Sequence, residues 1–227
     1  MKILAFETIE MSASAALLDD ENVLASTTLP PQQRSAQYLA PAVRDLLAQT
    51  GWKPTDVQLI VVSQGPGSFT GLRVGITFAK IFAWAVGADV IALNTLDILA
   101  EAVPQEFARV SIGLDAQRGE VVVRTYERGM DGLMAPLDET RMIDLEDWVK
   151  NVPDGTILSG PVLAQKARFL PENLPTVPAE FWTPSVAQMG KMGFRLYQAG
   201  RRDDIWNLLP IYSRPAAAEE RRMMMKK

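Results

Sequence analysis

Neither cysteine nor histidine occurs among the 227 residues. Without cysteine there are no disulfides, no thiolate nucleophile and no sulfur ligand for zinc. Without histidine there is no Ser-His or Cys-His catalysis, no H-E-x-x-H metal site and no imidazole ligation. Metal entry is left to carboxylates and backbone oxygens, a donor set that favours magnesium if any ion. An excess of basic charge is missing too: 23 Lys+Arg stand against 27 Asp+Glu, a net charge of −4 with a pI near 5.0. So mildly acidic a surface has no general pull on a nucleic-acid backbone. Long hydrophobic runs are absent as well. MKILAFE is too short an apolar run for a signal peptide, and Arg73 and Lys80 interrupt the most apolar segment, leaving only IFAWAVGA free of charge. A soluble, cytoplasmic chain with no membrane span is expected.

What is present suits an ordinary globular protein, with 48% hydrophobic and 22% charged residues. The length allows one large domain or two small ones. KILAFE, SASAALLD and NVLASTTL read as strands, the last two joined by a DDEN hairpin turn. Apolar positions at 38, 39, 42, 43, 46 and 47 predict a helix over 35–49, stopped by Gly51. VQLIVV and ADVIALN read as buried parallel strands flanking a helix over 69–86. RVSIGLD and GEVVVRTYE, joined by AQR, reopen the pattern, and PSVAQMGKMGFRLYQAG is the last clear helix before a polar tail, PAAAEERRMMMKK. ILAFET and SIGLDA are both strands that end in a carboxylate and lead into a second strand. Two such units facing one another make a two-lobed α/β protein divided near Pro104, with Glu7 and Asp115 at the mouth of the cleft.

Between strand and helix lies SQGPGSFTGLRVG, at 63–75. Its spacing is neither G-x-x-x-x-G-K-[ST] nor G-x-G-x-x-G, and Pro66 removes a backbone donor. Ser68 or Thr70 can cap the following helix, whose amino end attracts anions. A tight capped turn therefore answers the pattern better than a phosphate site. After the first strand, ETIEMSAS has hydroxyls but no glycine to admit a phosphate, and Ile9 and Met11 are bulky there. Glu7 and Asp115 read either as a magnesium pair or as acidic strand ends in solvent, with Glu10 a further acid tied to neither. Ser68 has no histidine base, so it makes a poor nucleophile.

In the helix, Gly71, Gly75, Ala79 and Ala83 form a ridge of small side chains, and almost no polar face remains around it. Either an entirely internal helix or an interface helix fits. Two helical glycines cost about 1 kcal/mol each, which tilts the reading toward close packing on a partner.

SQGPGSFTGLRVGITFAKIFAWAVG (63–87) resembles the G-P-G-S-F-T-G-L-R signature and following helix of the TsaB (YeaZ) family. KILAFETIEMSASAALLDD, SAQYLAPAVRDLL, GLDAQRGEVVV and PIYSRPAAAEE resemble that family's opening strand pair, first helix, second-lobe opening and C-terminal end. The resemblance implies an actin-like, two-lobed α/β fold of the ASKHA superfamily. Residues 1–104 would form the lobe carrying the partner-binding helices, and 105–227 a reduced second lobe and tail. It implies a non-catalytic subunit, without cofactor or metal of its own, in the making of threonylcarbamoyladenosine in tRNA. The partners implied are a TsaD-type catalytic subunit, which holds the metal, and a TsaE-type ATPase. The resemblance also implies a homodimer when the chain is alone, with tRNA met only through the complex.

The partner-binding residues implied are Tyr38, Leu39, Val43, Leu46, Gly71, Arg73, Gly75, Ile76, Ala79, Phe82 and Ala83. A weak nucleotide or anion site would draw on Glu7, Thr8, Gly65, Gly67, Ser68 and Asp115. The chain departs from the family at Glu7, where aspartate is usual, at Ile9 and Glu10, where a Ser-Thr pair is usual, and at Arg34–Ser35–Ala36, where a His-Ser pair often opens the helix. These departures weaken a nucleotide or metal role. The alternatives are an independent ATP-dependent small-molecule kinase of the same fold, or a peptidase. The first lacks its glycine-bearing phosphate loop, the second any nucleophile–base pair.

Overall fold

A computed structural model describes residues 1–9, 13–30, 35–171 and 173–214. Glu10, Met11, Arg34 and the tail from 215 onward, singled out above, lie outside the described residues. The first sheet is built from β1 (Lys2–Glu7), β2 (Ser14–Asp19), β3 (Asn22–Thr28), β4 (Leu59–Gly65) and β5 (Asp89–Asn94), in the order β3-β2-β1-β4-β5. β1, β2 and β3 run antiparallel as a meander, while β4 and β5 join parallel to β1. Parallel neighbours need crossovers. These are α1 (Ser35–Thr50), between β3 and β4, and α2 (Phe69–Val86), between β4 and β5.

The near-continuous apolar strands have a simple cause: both faces of this sheet are covered. Leu4 and Phe6 of β1, with Ile60 and Val62 of β4, face Leu39, Val43, Leu46 and Leu47 of α1 and Ile76, Ala79 and Ala83 of α2. Ile3, Ala5, Leu59 and Val61 point the other way, toward α3 (Thr95–Glu101) and α6 (Val186–Gln198). α6 approaches closely because Gly193 and Gly190 leave room for Val61 and Leu18. Among the described residues, α2 alone is long and apolar enough to cross a membrane, with a mean hydropathy of 1.3 that tolerates Arg73 and Lys80. Here its inner face lies on the sheet. Ser68 caps its start, and Gly87, at φ 74°, closes its end through a bond to the Ala83 carbonyl.

The second sheet runs β10 (Ile157–Ser159), β6 (Arg109–Asp115), β7 (Glu120–Arg128), β8 (Met134–Pro136). β9 (Arg141–Asp144) pairs with β7 beside β8, so two short pieces share the place that β3 fills in the first sheet. β10 is parallel to β6, as β4 is to β1. Beyond β10, in the place that β5 takes beside β4, there is a single bridge between Leu158 and Thr176. The helices α4 (Leu145–Lys150) and α5 (Val162–Gln165) cover one face, where the Trp148 indole donates to Ser111 Oγ at 2.9 Å. α3 covers the other face through Leu96, Leu99 and Ala100.

α3 is thus shared by the two sheets. Asn94 caps it by accepting from Leu96 N at 2.9 Å, and its Asp97 accepts from the Tyr126 hydroxyl at 2.6 Å and from Arg124 at 3.3 Å. Burial, reinforced by the Asp97 carboxylate, holds the Tyr126 phenol protonated far above its ordinary value of 10.0. Unfolded, this phenol ionises near pH 10, so the unfolded chain binds fewer protons above that point and stability falls as pH rises. The urea midpoint is expected to drop between about pH 9 and pH 11, and to drop less in Tyr126→Phe. Equal alkaline losses in the two proteins would contradict the assignment.

Candidate partner-docking face

The loop and the end of β1 are built into one another. Thr8, fully buried, donates its hydroxyl to the Gly71 carbonyl at 2.7 Å. A Cβ on Gly71 would stand 2.0 Å from the Thr8 carbonyl oxygen, and one on Gly75 2.4 Å from Thr8 Oγ1. One on Gly67 would stand 2.8 Å from Cβ of Ile9, which is itself buried. Gly65 has φ 109°, a conformation suited to glycine, and lies under the Ile211 carbonyl, where a Cβ would come within 2.3 Å. Ser68 accepts from Gly71 N at 3.3 Å and closes the amino end of α2. The space over the glycines is therefore filled by Thr8, Ile9 and Ile211 of the same chain.

The residues expected to form a weak anion site do not assemble into an open cradle. Glu7 is buried and accepts from Ile9 N; Asp115 accepts from Gln117 N and pairs with Lys166 at 3.1 Å. Both carboxylates serve their own turns. The ridge of small residues needs a correction for the same reason: Gly71 and Gly75 receive the end of β1, and Ala79 and Ala83 lie in the core. Leu39, Val43, Leu46 and Ile76, also expected at a partner surface, are core residues too. Helical periodicity identifies an apolar face, and in both helices that face meets the sheet.

Of the expected partner residues, Tyr38 and Arg73 reach the surface and Phe82 is partly buried. The outward face of α2 carries two residues not singled out before, Ile81 (61% exposed) and Trp84 (68% exposed). α1 packs beside α2, and a groove of about 400 Å³ opens by Tyr38 between α1 and β3, lined also by Pro41 and Asp45. Residues 201–214 run along α2 and add exposed Trp206, Leu209 and Tyr212. Ile81 and Trp84 of α2, Tyr38 of α1 and Trp206, Leu209 and Tyr212 of the 201–214 segment are thus large apolar or aromatic side chains left exposed.

A model of the family TsaD, tRNA N6-adenosine threonylcarbamoyltransferase, matches residues 22–150, more than half of the chain. The chain belongs to the TsaB/YeaZ branch of this family. The tRNA threonylcarbamoyladenosine biosynthesis protein TsaB of Bacillus subtilis (strain 168) is 33% identical over 150 residues, 66% of this chain and 65% of that protein. The protein of the same name from Escherichia coli (strain K12) is 35% identical over 135 residues, 59% of this chain and 58% of that protein. In each case the match spans less than two thirds of the relative's length. The solved structure of YeaZ from Pseudomonas aeruginosa superposes with a TM-score of 0.77 at 26% identity, covering 93% of this chain and 99% of that one. The fold of this TsaB/YeaZ member is accordingly the actin-like, ASKHA one. Its second sheet is the reduced copy.

Proposed function

We propose that this chain is a subunit of the assembly that makes threonylcarbamoyladenosine in tRNA, and that it supports a TsaD-type catalytic subunit without performing the transfer itself. One observation carries the reading: two large apolar groups of α2, Ile81 and Trp84, are left exposed on one helix face, whereas Glu7 is buried and Asp115 is paired. Tyr38, Arg73 and Phe82, with Ile81 and Trp84, form the docking face for the catalytic subunit. In the absence of that subunit the same face pairs with a second copy of the chain. A TsaE-type ATPase completes the assembly in the cytoplasm, and tRNA is contacted through the complex, in keeping with a net charge of −4.

An independent small-molecule kinase is the less favoured reading, because Thr8 and Ile9 occupy the space that phosphates would need over Gly67 and Gly71. Sedimentation velocity of the chain alone, then with the catalytic subunit of its own organism, tests the assembly. A homodimer that gives way to a mixed dimer is expected. A monomer that ignores the catalytic subunit would refute the docking face.

A further inference from the structure

Residues 201–214 form a strap with anchors in both lobes. At its start, Asp203 N donates to the Val90 carbonyl at 3.0 Å, Asp203 Oδ2 accepts from Ala92 N at 2.7 Å, and Arg201 donates to the Ala92 carbonyl at 2.7 Å. These contacts cover the β5 edge of the first sheet. The strap then crosses α2. Leu208 is buried in the core on the side of the first sheet that α1 and α2 cover, and Lys80 donates to the Trp206 carbonyl at 3.4 Å. At the β4–α2 loop, Gln64 Nε2 donates to the Leu209 carbonyl and Ile211 N to the Gln64 carbonyl, both at 2.8 Å. Tyr212 stacks on Phe69 at 4.6 Å and accepts from Arg73 Nε at 3.0 Å. Arg214 finally pairs with Glu120 of β7 and donates to the Gln117 carbonyl at 3.3 Å.

Three chain steps separate Ile211 from Arg214, a reach of about 10 Å. The strap thus ties the glycine loop of the first lobe to the β6–β7 turn of the second. That turn is a costly place to hold: Gln117 and Arg118, neither of them glycine, adopt φ of 65° and 55°. The lobes are also joined by α3, where Glu101 pairs with Arg195 of α6 at 2.7 Å and Asp97 binds Tyr126 and Arg124. α3 packs on one face of the first sheet and Leu208 on the other. The second link therefore lies across the sheet from the first.

We propose that residues 201–214 are a clasp that holds the two lobes together opposite α3, and that a body docking on α2 presses on this clasp and so fixes the β6–β7 turn. The strap's own exposed side chains, Trp206 (71%) and Leu209 (66%), supply the contact. The clasp stands on the bonds above. The transmitted effect rests on the docking face proposed for α2.

Hydrogen exchange on the full chain tests both parts. In Arg214→Ala, amide exchange at 115–120 is expected to rise about tenfold, the effect of losing a charge-assisted link. In Tyr212→Ala it is expected to rise at both 63–70 and 115–120. Glu120→Gln cuts the same link from the other lobe and should repeat the Arg214→Ala pattern, with exchange at 90–92 unchanged in all three. Unchanged exchange at 115–120 in both Arg214→Ala and Glu120→Gln would overturn the clasp. Adding the catalytic subunit should slow exchange at 115–120 in the parent chain and much less in Arg214→Ala. Binding with equal slowing in both would overturn the transmission and leave the docking face standing. A subunit that does not bind at all would remove the docking face and the transmission with it, while the variants of the isolated chain would still decide the clasp.

Discussion

Gly71→Ala is expected to destabilise the chain by about 3 kcal/mol, the upper range for overpacking a filled site. For a chain of this size that lowers the melting temperature by about 6–12 °C. The new methyl would stand 2.0 Å from the Thr8 carbonyl oxygen and 3.1 Å from Ile9 Cα, so backbone must move; no side chain can rotate out of the way. Gly75→Ala meets the Thr8 hydroxyl instead, at 2.4 Å, and that group can turn aside at the cost of its bond to the Gly71 carbonyl. It should therefore cost less, and combining it with Thr8→Ala should recover part of the loss. Thermal and urea denaturation of the four proteins give the comparison. A Gly71→Ala chain that melts with the parent would mean that α2 does not rest on β1 in this way.

Trp84→Glu is expected to do the opposite. Trp84 is 68% exposed, so the melting temperature should move by no more than about 2 °C, as for ordinary surface substitutions. Binding to the catalytic subunit should weaken by about thirtyfold or more, the scale of losing a tryptophan at the centre of an interface. Ile81→Asp should act in the same direction. By contrast, Ala79→Arg is a poor probe of docking: Ala79 has no exposure, and a guanidinium there would disrupt the core before any interface formed. Titration calorimetry with parent and Trp84→Glu chains separates the cases. Equal affinities would place the partner somewhere other than the outer face of α2.

Much of the architecture can be read in the residues. Alternation and apolar runs mark β1 to β7, and the helix expected over 69–86 is α2, with Ser68, one of the two cap candidates, at its start. α3 escapes such a reading because its seven residues follow β5 with no intervening turn. Its signals are Asn94 as cap and Asp97 in the first turn, faint beside the apolar run before them. Which sheet receives α6 is not legible either. Apolar positions at 186, 189 and 192 specify a buried face without saying what buries it, and α6 returns to the first sheet. The direction of the glycine ridge fails for a related reason: small residues every four positions announce close approach, and a strand of the same chain satisfies that as well as a second helix does. The strap is the least legible element. Its segment is irregular, and its anchors, Asp203, Gln64, Arg73 and Arg214, are ordinary surface polar residues until the fold brings them together.

The central claim, a supporting rather than catalytic role in tRNA threonylcarbamoylation, is tested most directly by reconstitution. The chain, the catalytic subunit and the TsaE-type ATPase of the same organism, with ATP and a threonylcarbamoyl donor, are incubated with unmodified tRNA, this chain or the catalytic subunit being omitted in turn, and modified adenosine is measured by mass spectrometry. Modification that requires both proteins, and that falls with Trp84→Glu in step with binding, is the predicted result. Transfer by this chain alone, or full transfer by the catalytic subunit without it, would contradict the account.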